Sequence, residues 1–293
     1  MTIRKKEVII SYIYIFLKRM FLEAKGIERG NKMRKAVFFD IDGTLWNQNY
    51  DVSQSTRDAI AKLRENGHLA FICSGRSRAN IKSEKLLSIG FDGVVASCGA
   101  HVDFHKETIF EKLLTAEQVA HILEVSKQYA VPIIFEGPQY MYANPEDFLD
   151  DAYVVYLREE QPEDLKVIPD DPALIVANKY SGETIGVDME SYQKELGDEF
   201  DVVVHIGEDV FEVIPSGYSK ATGIKVVCEK FGIAIEDTYC FGDGENDLEM
   251  LRFAGHGIAM GNGTVNAKAA ADFVTTGVDE DGIYNGLKHF GLI

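Results

Sequence analysis

Three short polar segments of this 293-residue chain carry residue types that could bind a metal ion and perform acid–base chemistry. Asp40 and Asp42 come directly after one apolar run, and Ser74 and Gly75 come directly after another. Residues 242–247, Gly-Asp-Gly-Glu-Asn-Asp, follow a third. Carboxylate oxygens are ligands of hard cations, while hydroxyl and backbone N–H groups bind phosphate oxygens. Together the segments predict a site for a metal ion and a phosphate group.

The acids of these segments raise a problem of charge. They are Asp40, Asp42, Asp243 and Asp247. If they met at one place, several negative charges would lie within a few ångströms of one another and would destabilise the fold. A hard divalent cation removes this repulsion, and Mg²⁺ accepts a few carboxylates while it keeps waters and a phosphate oxygen as ligands. We therefore predict that the acids form a Mg²⁺ site.

The remaining polar residues fit a phosphate ligand. Ser74 is predicted to lie at a strand-to-helix junction, where its hydroxyl and the neighbouring N–H groups, including that of Gly75, can hold phosphate oxygens. Lys220 begins a predicted helix, and its ammonium could neutralise charge on a transferring group. Taken alone, such a lysine is usually a solvated surface residue, and such acidic segments are usually turns. In combination they favour phosphoryl transfer.

The polar segments lie between apolar runs and helical patterns that alternate along the chain. Strands are predicted at 36–39, 69–73, 94–97 and 238–241, and helices at 55–66, 220–231 and 247–254. This alternation indicates an α/β fold, with a doubly wound parallel sheet and helices on both faces. Ligands of such sheets bind at the carboxyl ends of the strands, so we expect the polar segments to converge on one crevice.

The middle of the chain, residues 113–212, follows a different pattern. A helix is predicted at 115–130, a hairpin that turns at Gly137 and Pro138, and an antiparallel pair of strands around Gly207. These residues are therefore predicted to form a second, inserted α+β domain.

The chain is thus predicted to have three parts. Residues 33–112 and 213–293 form the α/β domain, and 113–212 form the inserted domain. Residues 1–32 combine a basic start with an apolar stretch of about half the length that a membrane-spanning helix requires. We interpret them as a peripheral helix, or as an extension upstream of a start at Met33.

The charge of the chain restricts its partners. It has 47 acidic and 30 basic residues and a formal net charge of -17, a field that repels polyanions and anionic membrane surfaces. We therefore expect neither nucleic acid nor a membrane as a partner. A small anionic substrate is compatible with this charge only where a metal ion or placed lysines outweigh it locally. Nothing in the sequence indicates an oligomeric state.

The cysteines indicate neither a disulfide framework nor a zinc motif. They are Cys73, Cys98, Cys228 and Cys240. They stand far apart without C-x-x-C spacing, and three of them lie within apolar runs, where cysteine is typically a small buried hydrophobe. This usage favours a reducing cytoplasm.

Four motifs occur in a fixed order. They are D-I-D-G-T-L at 40–45, S-G-R at 74–76, Lys220 before a helix, and G-D-G-E-N-D-L-E-M-L at 242–251. Their order and spacing resemble the haloacid dehalogenase (HAD) superfamily, and within it the Cof-type (subclass IIB) phosphatases. The resemblance extends from about residue 33 to the C-terminus. It implies a Rossmann-like core with a large α/β cap between the second and third motifs, where the inserted domain is predicted.

The resemblance implies a role for each acid. Asp40 would be the nucleophile that forms an aspartyl-phosphate, and Asp42 the general acid and then the general base. Asp40, the backbone carbonyl of Asp42 and Asp243 would hold Mg²⁺, while Asp247 supports the metal or its waters. The alternation of a strand gives this a physical basis, because residues two apart point to the same side if the extended conformation continues.

The resemblance also implies that Ser74, Lys220 and Asn246 contact or orient the phosphoryl group. At one position this chain departs from the family pattern. Where the family commonly has Asn-Gly-Ala after the third strand, this chain has Cys-Gly-Ala, with Cys98 in place of the asparagine. The change removes a side-chain amide that would face the substrate, and so it leaves the substrate preference open.

These observations predict a Mg²⁺-dependent phosphatase for small phosphorylated metabolites such as sugar phosphates or phosphorylated cofactors. A phosphomutase with the same nucleophile is the alternative, and phosphate release distinguishes the two. A non-enzymatic phospho-acceptor would gather similar residues but would not need a large domain over the site. A dinucleotide-binding oxidoreductase is disfavoured, because Met260 replaces the third glycine of a G-x-G-x-x-G motif in residues 255–261.

Overall fold

A computed structural model describes residues 34–148, 152–160, 162–204 and 209–293 of the protein. The expectations for residues 1–32 lie outside the described residues. Within the described ranges, no helix combines the length and the apolar character that crossing a membrane requires.

The described residues contain fourteen strands in two sheets. In chain order the strands are β1 (Ala36–Phe39), β2 (Leu69–Cys73), β3 (Gly93–Ala96), β4 (His101–Phe104), β5 (Glu107–Glu111), β6 (Ile133–Glu136), β7 (Met141–Tyr142), β8 (Leu165–Lys166), β9 (Lys179–Glu183), β10 (Phe200–Val204), β11 (Val210–Pro215), β12 (Thr238–Gly242), β13 (His256–Ala259) and β14 (Phe273–Val274). The first sheet has the order β14-β13-β12-β1-β2-β3-β4-β5, and the second has the order β10-β11-β9-β6-β7-β8.

The same part of the chain contains nine α-helices. They are α1 (Gln54–Glu65), α2 (Glu84–Leu87), α3 (Ala116–Gln128), α4 (Ala152–Glu160), α5 (Met189–Leu196), α6 (Lys220–Phe231), α7 (Leu248–Phe253), α8 (Val265–Ala270) and α9 (Gly282–His289). The side chain of Ser53 caps α1, and Thr115 and Gln118 form a capping box at α3. These caps satisfy N–H groups that a helix start leaves unpaired, and they place both starts within two residues of the predicted ones.

Strand β1 lies at the centre of the first sheet, parallel to β12 on one side and to β2 on the other. Its four residues are all buried, as expected for a strand that helices cover on both faces. Val37 and Phe39 belong to one apolar cluster with residues of α1 and α9, whereas Ala36 and Phe38 belong to another with residues of α6. Within the described residues, the antiparallel pairings of this sheet are those of β4 with β3 and with β5. The predicted α/β fold class is confirmed.

The second sheet is antiparallel apart from the pairing of β7 with β8. Helices α3 and α5 pack on one face of it, where Val119, Tyr192 and Phe211 share one apolar cluster. Helix α4 contributes Val154 and Leu157 to a separate cluster, which also contains residues of β6 and β7. This sheet therefore has apolar cores of its own.

A continuous part of the chain, from β6 to β11, supplies the second sheet between β5 and β12 of the first. The hairpin predicted at Gly137 is β6–β7, and the antiparallel pair predicted around residue 207 is β10–β11. Strand β11 continues to Pro215, beyond the predicted boundary at 212. The division into 33–112 with 213–293 and an inserted 113–212 stays a prediction.

Candidate active site

The register of the first sheet brings the ends of three strands to one level. Phe39 of β1 lies opposite Phe241 of β12 and Ile72 of β2. The N–H of Asp40 then donates to the carbonyl oxygen of Phe241 at 2.9 Å. The polar segments that follow these strands therefore start side by side at the carboxyl edge of the sheet.

The side chain of Asp40 is buried and contacts a buried lysine. Nζ of Lys220, the first residue of α6, donates to Oδ1 of Asp40 and to Oδ1 of Asp247, both at 2.6 Å. Burial alone would lower the pKa of Lys220, but the charges of Asp247 and Asp40 outweigh it and raise this pKa well above its ordinary value. Lys220 is therefore an ammonium that faces two carboxyl groups.

The pKa of Asp40 also lies well above its ordinary value. Burial is the largest cause and the charge of Asp247 adds to it, while the charge of Lys220 opposes both. Because excess negative charge around Asp40 disfavours its ionised form, a further cation at this place would favour it.

Asp247 organises the segment that follows β12. Its side chain is fully buried, and Oδ2 accepts hydrogen bonds from the N–H groups of Asp243 and Gly244, each at 2.9 Å. Asp247 thus closes the turn that holds Asp243 and at the same time positions Lys220. Since its side chain serves this turn, α7 begins at Leu248 and not at the predicted residue 247.

Asp243 meets the segment that follows β1. Oγ1 of Thr44 donates to Oδ1 of Asp243 at 2.8 Å. Gly43 has a φ of +78°, and a Cβ on it would lie 2.2 Å from Oδ2 of Asp243, so this approach requires glycine. Burial raises the pKa of Asp243 to about 6, with the hydrogen bond from Thr44 opposing and the charge of Asp247 adding.

An acidic group that could hold a metal ion is formed by Asp40, Asp243 and Asp247. One carboxylate oxygen from each lies within 4.8 Å of the others. Three acids around the single ammonium of Lys220 leave an excess of negative charge, and hard oxygen donors of this kind suit Mg²⁺. The carboxylate of Asp42 is not part of the group, so Asp42 could contribute only its backbone carbonyl.

The side chain of Asp42 has different surroundings. Arg76 donates from Nε to Oδ2 and from Nη2 to Oδ1, both at 2.7 Å, and Nε1 of Trp46 donates to Oδ1 at 2.9 Å. Burial raises the pKa of Asp42, but the hydrogen bonds and the charge of Arg76 outweigh it and lower this pKa below its ordinary value. Asp42 is therefore ionised, and its side chain is 51% exposed to solvent.

Sequence reasoning assigned no role to Arg76 or to Trp46. The guanidinium of Arg76 lies 5.3 Å from the ring of Trp46, within the range of a cation–π contact. A signal was present, because Arg76 follows one strand end while Asp42 follows the neighbouring one. A basic residue so placed can pair with the acid across the crevice.

The predicted phosphate-binding residues adjoin one another. Oγ of Ser74 accepts a hydrogen bond from the N–H of Arg76 at 3.2 Å, and a Cβ on Gly75 would lie 3.5 Å from Nδ2 of Asn246. Strand β2 ends at Cys73, and the next helical segment is the short 3₁₀ helix Arg78–Asn80, so the predicted helix N-terminus does not lie at Ser74. The serine side chain closes a local turn in place of a helix start.

Cys98 lies in a left-handed loop between β3 and β4. Ser97 and Cys98 each have a φ of 50°, and Gly99 has a φ of 85°. A Cβ on Gly99 would lie 2.0 Å from the carbonyl oxygen of Ser219, so the loop packs closely against the start of α6. Burial, with the charge of Glu212 adding, raises the pKa of Cys98 to about 12. The thiol is therefore neutral and poorly suited to act as a nucleophile.

Known proteins match this chain over most of its length. The family model of the haloacid dehalogenase-like hydrolases matches residues 37–287. YkrA of Bacillus subtilis (strain 168) is 35% identical over 265 residues, which cover 88% of this chain and 98% of that protein. The 5-amino-6-(5-phospho-D-ribitylamino)uracil phosphatase YitU of the same strain is 28% identical over 286 residues, 87% of this chain and 96% of YitU.

Solved structures give the same result. The HAD subclass IIB sugar phosphatase BT4131 superposes with a TM-score of 0.74 at 29% identity, covering 88% of this chain and 100% of that one. The resemblance that the motifs predict is therefore confirmed.

Proposed function

Because this chain belongs to the haloacid dehalogenase-like hydrolases, we propose that it hydrolyses small phosphomonoesters through an aspartyl-phosphate on Asp40. One observation carries the proposal: buried Asp40 contacts the ammonium of Lys220 at 2.6 Å, within an acidic group that includes Asp243 and Asp247. A carboxylate nucleophile, a fixed cation and a set of donors for a divalent cation are parts that phosphoryl transfer requires.

In the first half-reaction, a carboxylate oxygen of Asp40 attacks phosphorus while the bond from phosphorus to the alcohol oxygen breaks. Asp42 gives its proton to that oxygen, so the alcohol leaves neutral. Lys220 neutralises charge on the phosphoryl group, and Gly75 and Asn246 hold its oxygens. The products are an aspartyl-phosphate on Asp40 and the free alcohol.

In the second half-reaction, the carboxylate of Asp42 takes a proton from a water whose oxygen attacks phosphorus, and the bond to Asp40 breaks. Arg76 favours the ionised form of Asp42, which this step needs. The first step needs the protonated form. An anionic phosphate ester that drew Arg76 away would raise the pKa of Asp42 at that stage of the reaction.

Mg²⁺ is the proposed cofactor, held by Asp40, Asp243 and the backbone carbonyl of Asp42, with Asp247 in support. The acidic group formed by Asp40, Asp243 and Asp247 supports this assignment. A bound Mg²⁺ supplies Lewis-acid neutralisation of the phosphoryl oxygens.

Small cytoplasmic phosphorylated metabolites are the proposed substrates. YitU is named for a ribitylamino-uracil phosphate, and BT4131 is described as a sugar phosphatase, which supports small phosphomonoesters for this chain. The net charge of -17 disfavours nucleic acid and anionic membranes as partners. Release of inorganic phosphate from a panel of such metabolites distinguishes this function from a phosphomutase.

The nucleophile and the proton carrier can be tested with p-nitrophenyl phosphate, whose leaving group departs without a proton. Asp42→Asn should release about one equivalent of nitrophenol per site in a burst and then stall with phosphate on Asp40, because no base activates water. Asp40→Asn should give neither burst nor turnover. Rapid-quench kinetics with mass analysis of the peptide that holds both residues measures this. Steady turnover by Asp42→Asn without labelled Asp40, or a burst from Asp40→Asn, would contradict the assignment.

A further inference from the structure

The second sheet carries a charged trio of side chains that no step above uses. Lys179 of β9 is fully buried, and its Nζ lies 2.5 Å from Oε1 of Glu212 in β11 and 3.4 Å from Oε1 of Glu136 in β6. The three strands are neighbours in the order β11-β9-β6, and Lys179 lies directly opposite Glu136 in the ladder. Lys179 therefore binds one carboxylate from the strand on each side of its own.

Lys179 remains charged in this position. Burial alone would lower its pKa, but the charges of Glu136 and Glu212 outweigh burial and raise this pKa above its ordinary value. A buried ammonium with two carboxylates holds both of them in fixed positions. Lys179 is therefore a positioning residue for the carboxylate of Glu212.

Glu212 reaches the phosphate-binding residues of the first sheet. A Cβ on Gly75 would lie 3.6 Å from Oε2 of Glu212 and 3.5 Å from both Nδ2 of Asn246 and Sγ of Cys98. The charge of Glu212 also contributes to the raised pKa of Cys98. The carboxylate therefore borders the same small space as the residues proposed to hold the phosphoryl oxygens.

The direction of the reaction bears on where the leaving alcohol would lie relative to this carboxylate. In an in-line displacement the leaving oxygen lies on the side of phosphorus away from the nucleophile. The charges that act most on Asp40 come from residues that follow the strands of the first sheet or begin α6, whereas Glu212 belongs to the second sheet. Glu212 thus reaches the phosphate-binding residues from a different sheet than the groups around Asp40, and the alcohol part of the ester would lie on that side.

Resting on the phosphatase function proposed above, we propose that Glu212 is a specificity residue that filters substrates by charge. Its carboxylate accepts a hydrogen bond from a hydroxyl group on the alcohol part of the ester, and it repels a carboxylate at the same place. Cys98, which replaces an amide with a neutral thiol, cannot offset this negative charge. The enzyme therefore favours phosphorylated polyols over phosphorylated hydroxy acids of the same length.

Three esters of equal chain length test this filter: 2-hydroxyethyl phosphate, ethyl phosphate and phosphoglycolate. In the wild-type protein with Mg²⁺, kcat/KM should fall in that order, with a ratio of at least about tenfold between the first and the last. Glu212→Gln keeps the size of the side chain and removes its charge, while Lys179 keeps Glu136 as a partner. This variant should reduce the ratio by about tenfold, mainly through a gain on phosphoglycolate.

Two matched variants separate direct contact from general charge. Glu136→Gln removes the same charge from the same lysine, and Glu124→Gln removes a charge from the exposed surface of α3. Both should keep the ratio within about threefold of the wild-type value, because neither side chain is among the three groups nearest to Gly75. Circular dichroism verifies folding. If Glu212→Gln does not fold, Glu212→Asp takes its place. This variant shortens the reach of the carboxylate and must also lower the ratio.

The outcomes that overturn the inference differ from those that overturn the proposed function. A wild-type ratio near one, in a protein that turns over all three esters, overturns the filter and leaves the phosphatase function standing. An equal fall in the ratio for Glu136→Gln and Glu212→Gln overturns the direct role of Glu212. A wild-type protein that releases no phosphate from these esters or from p-nitrophenyl phosphate overturns the phosphatase function and the filter with it.

Discussion

Asp40 and Asp42 lie two residues apart, yet their surroundings shift their pKa values in opposite directions. Burial and the charge of Asp247 raise the pKa of Asp40, whereas Arg76 lowers that of Asp42 in spite of burial. Two carboxyl groups with separated pKa values can take different tasks in one reaction. Asp40 needs added positive charge to ionise, which Lys220 and a divalent cation would supply, and Asp42 needs a means of gaining its proton.

Removal of Arg76 should change the pH dependence of phosphoenzyme breakdown. Because Arg76 lowers the pKa of Asp42, Arg76→Ala raises that pKa, and Asp42 stays protonated to a higher pH. The breakdown step needs the carboxylate, so the acidic limb of its rate should move to higher pH by roughly one pH unit. The steady rate of nitrophenol release from saturating p-nitrophenyl phosphate, measured against pH, reports this limb.

Two further variants calibrate this experiment. Trp46→Phe removes one hydrogen bond to Asp42 and keeps the ion pair, so it should move the limb in the same direction by less. Arg57→Ala removes an arginine of α1 that contacts Lys85 and Ser88, and it should leave the limb in place. An unmoved limb in Arg76→Ala would show that Arg76 does not govern the proton on Asp42.

The loop that joins β3 to β4 stores conformational strain at Cys98. Its φ of 50° is one that asparagine tolerates better than most other residues. Cys98→Asn should therefore be more stable than Cys98→Ala by about 0.5–1 kcal/mol, since both variants lose the thiol. Urea unfolding without added metal measures the difference in the free energy of unfolding. Cys228 in α6 is the matched control. At this helical position Cys228→Ala should be more stable than Cys228→Asn, because alanine has the higher helix propensity.

The elements were largely predictable from the sequence, because their signals are local. The residues of β1 form one buried apolar run, and those of α6 have helical periodicity. The polar segments were also expected to meet, because ligands of parallel α/β sheets bind at the carboxyl ends of the strands. Individual side-chain partners did not follow. The pair of Arg76 with Asp42 was indicated only by the neighbouring strand ends that the two residues follow, and Glu212 comes to Gly75 from the other sheet without any such signal.

The net charge of -17 acts on both the proposed cofactor and the substrate. Such a field raises the local concentration of cations and lowers that of anionic esters. The acidic group formed by Asp40, Asp243 and Asp247 adds a short-range attraction for a divalent cation. These two contributions differ in their response to salt, because ions screen long-range interactions more than buried, short-range ones.

The dependence of activity on Mg²⁺ should therefore show both contributions. A chelator should abolish turnover and Mg²⁺ should restore it, while Ca²⁺, which prefers more ligands, should substitute poorly. Between about 20 and about 200 mM KCl, the Mg²⁺ concentration for half-maximal rate should rise several-fold, because salt screens the field of the whole molecule. The rate at saturating Mg²⁺ and substrate should change little. Asp243→Asn should need far more Mg²⁺ even at low salt. Full turnover in chelator would contradict the metal site. If the Mg²⁺ concentration for half-maximal rate did not change with KCl, the attraction for Mg²⁺ would come from the acidic group alone.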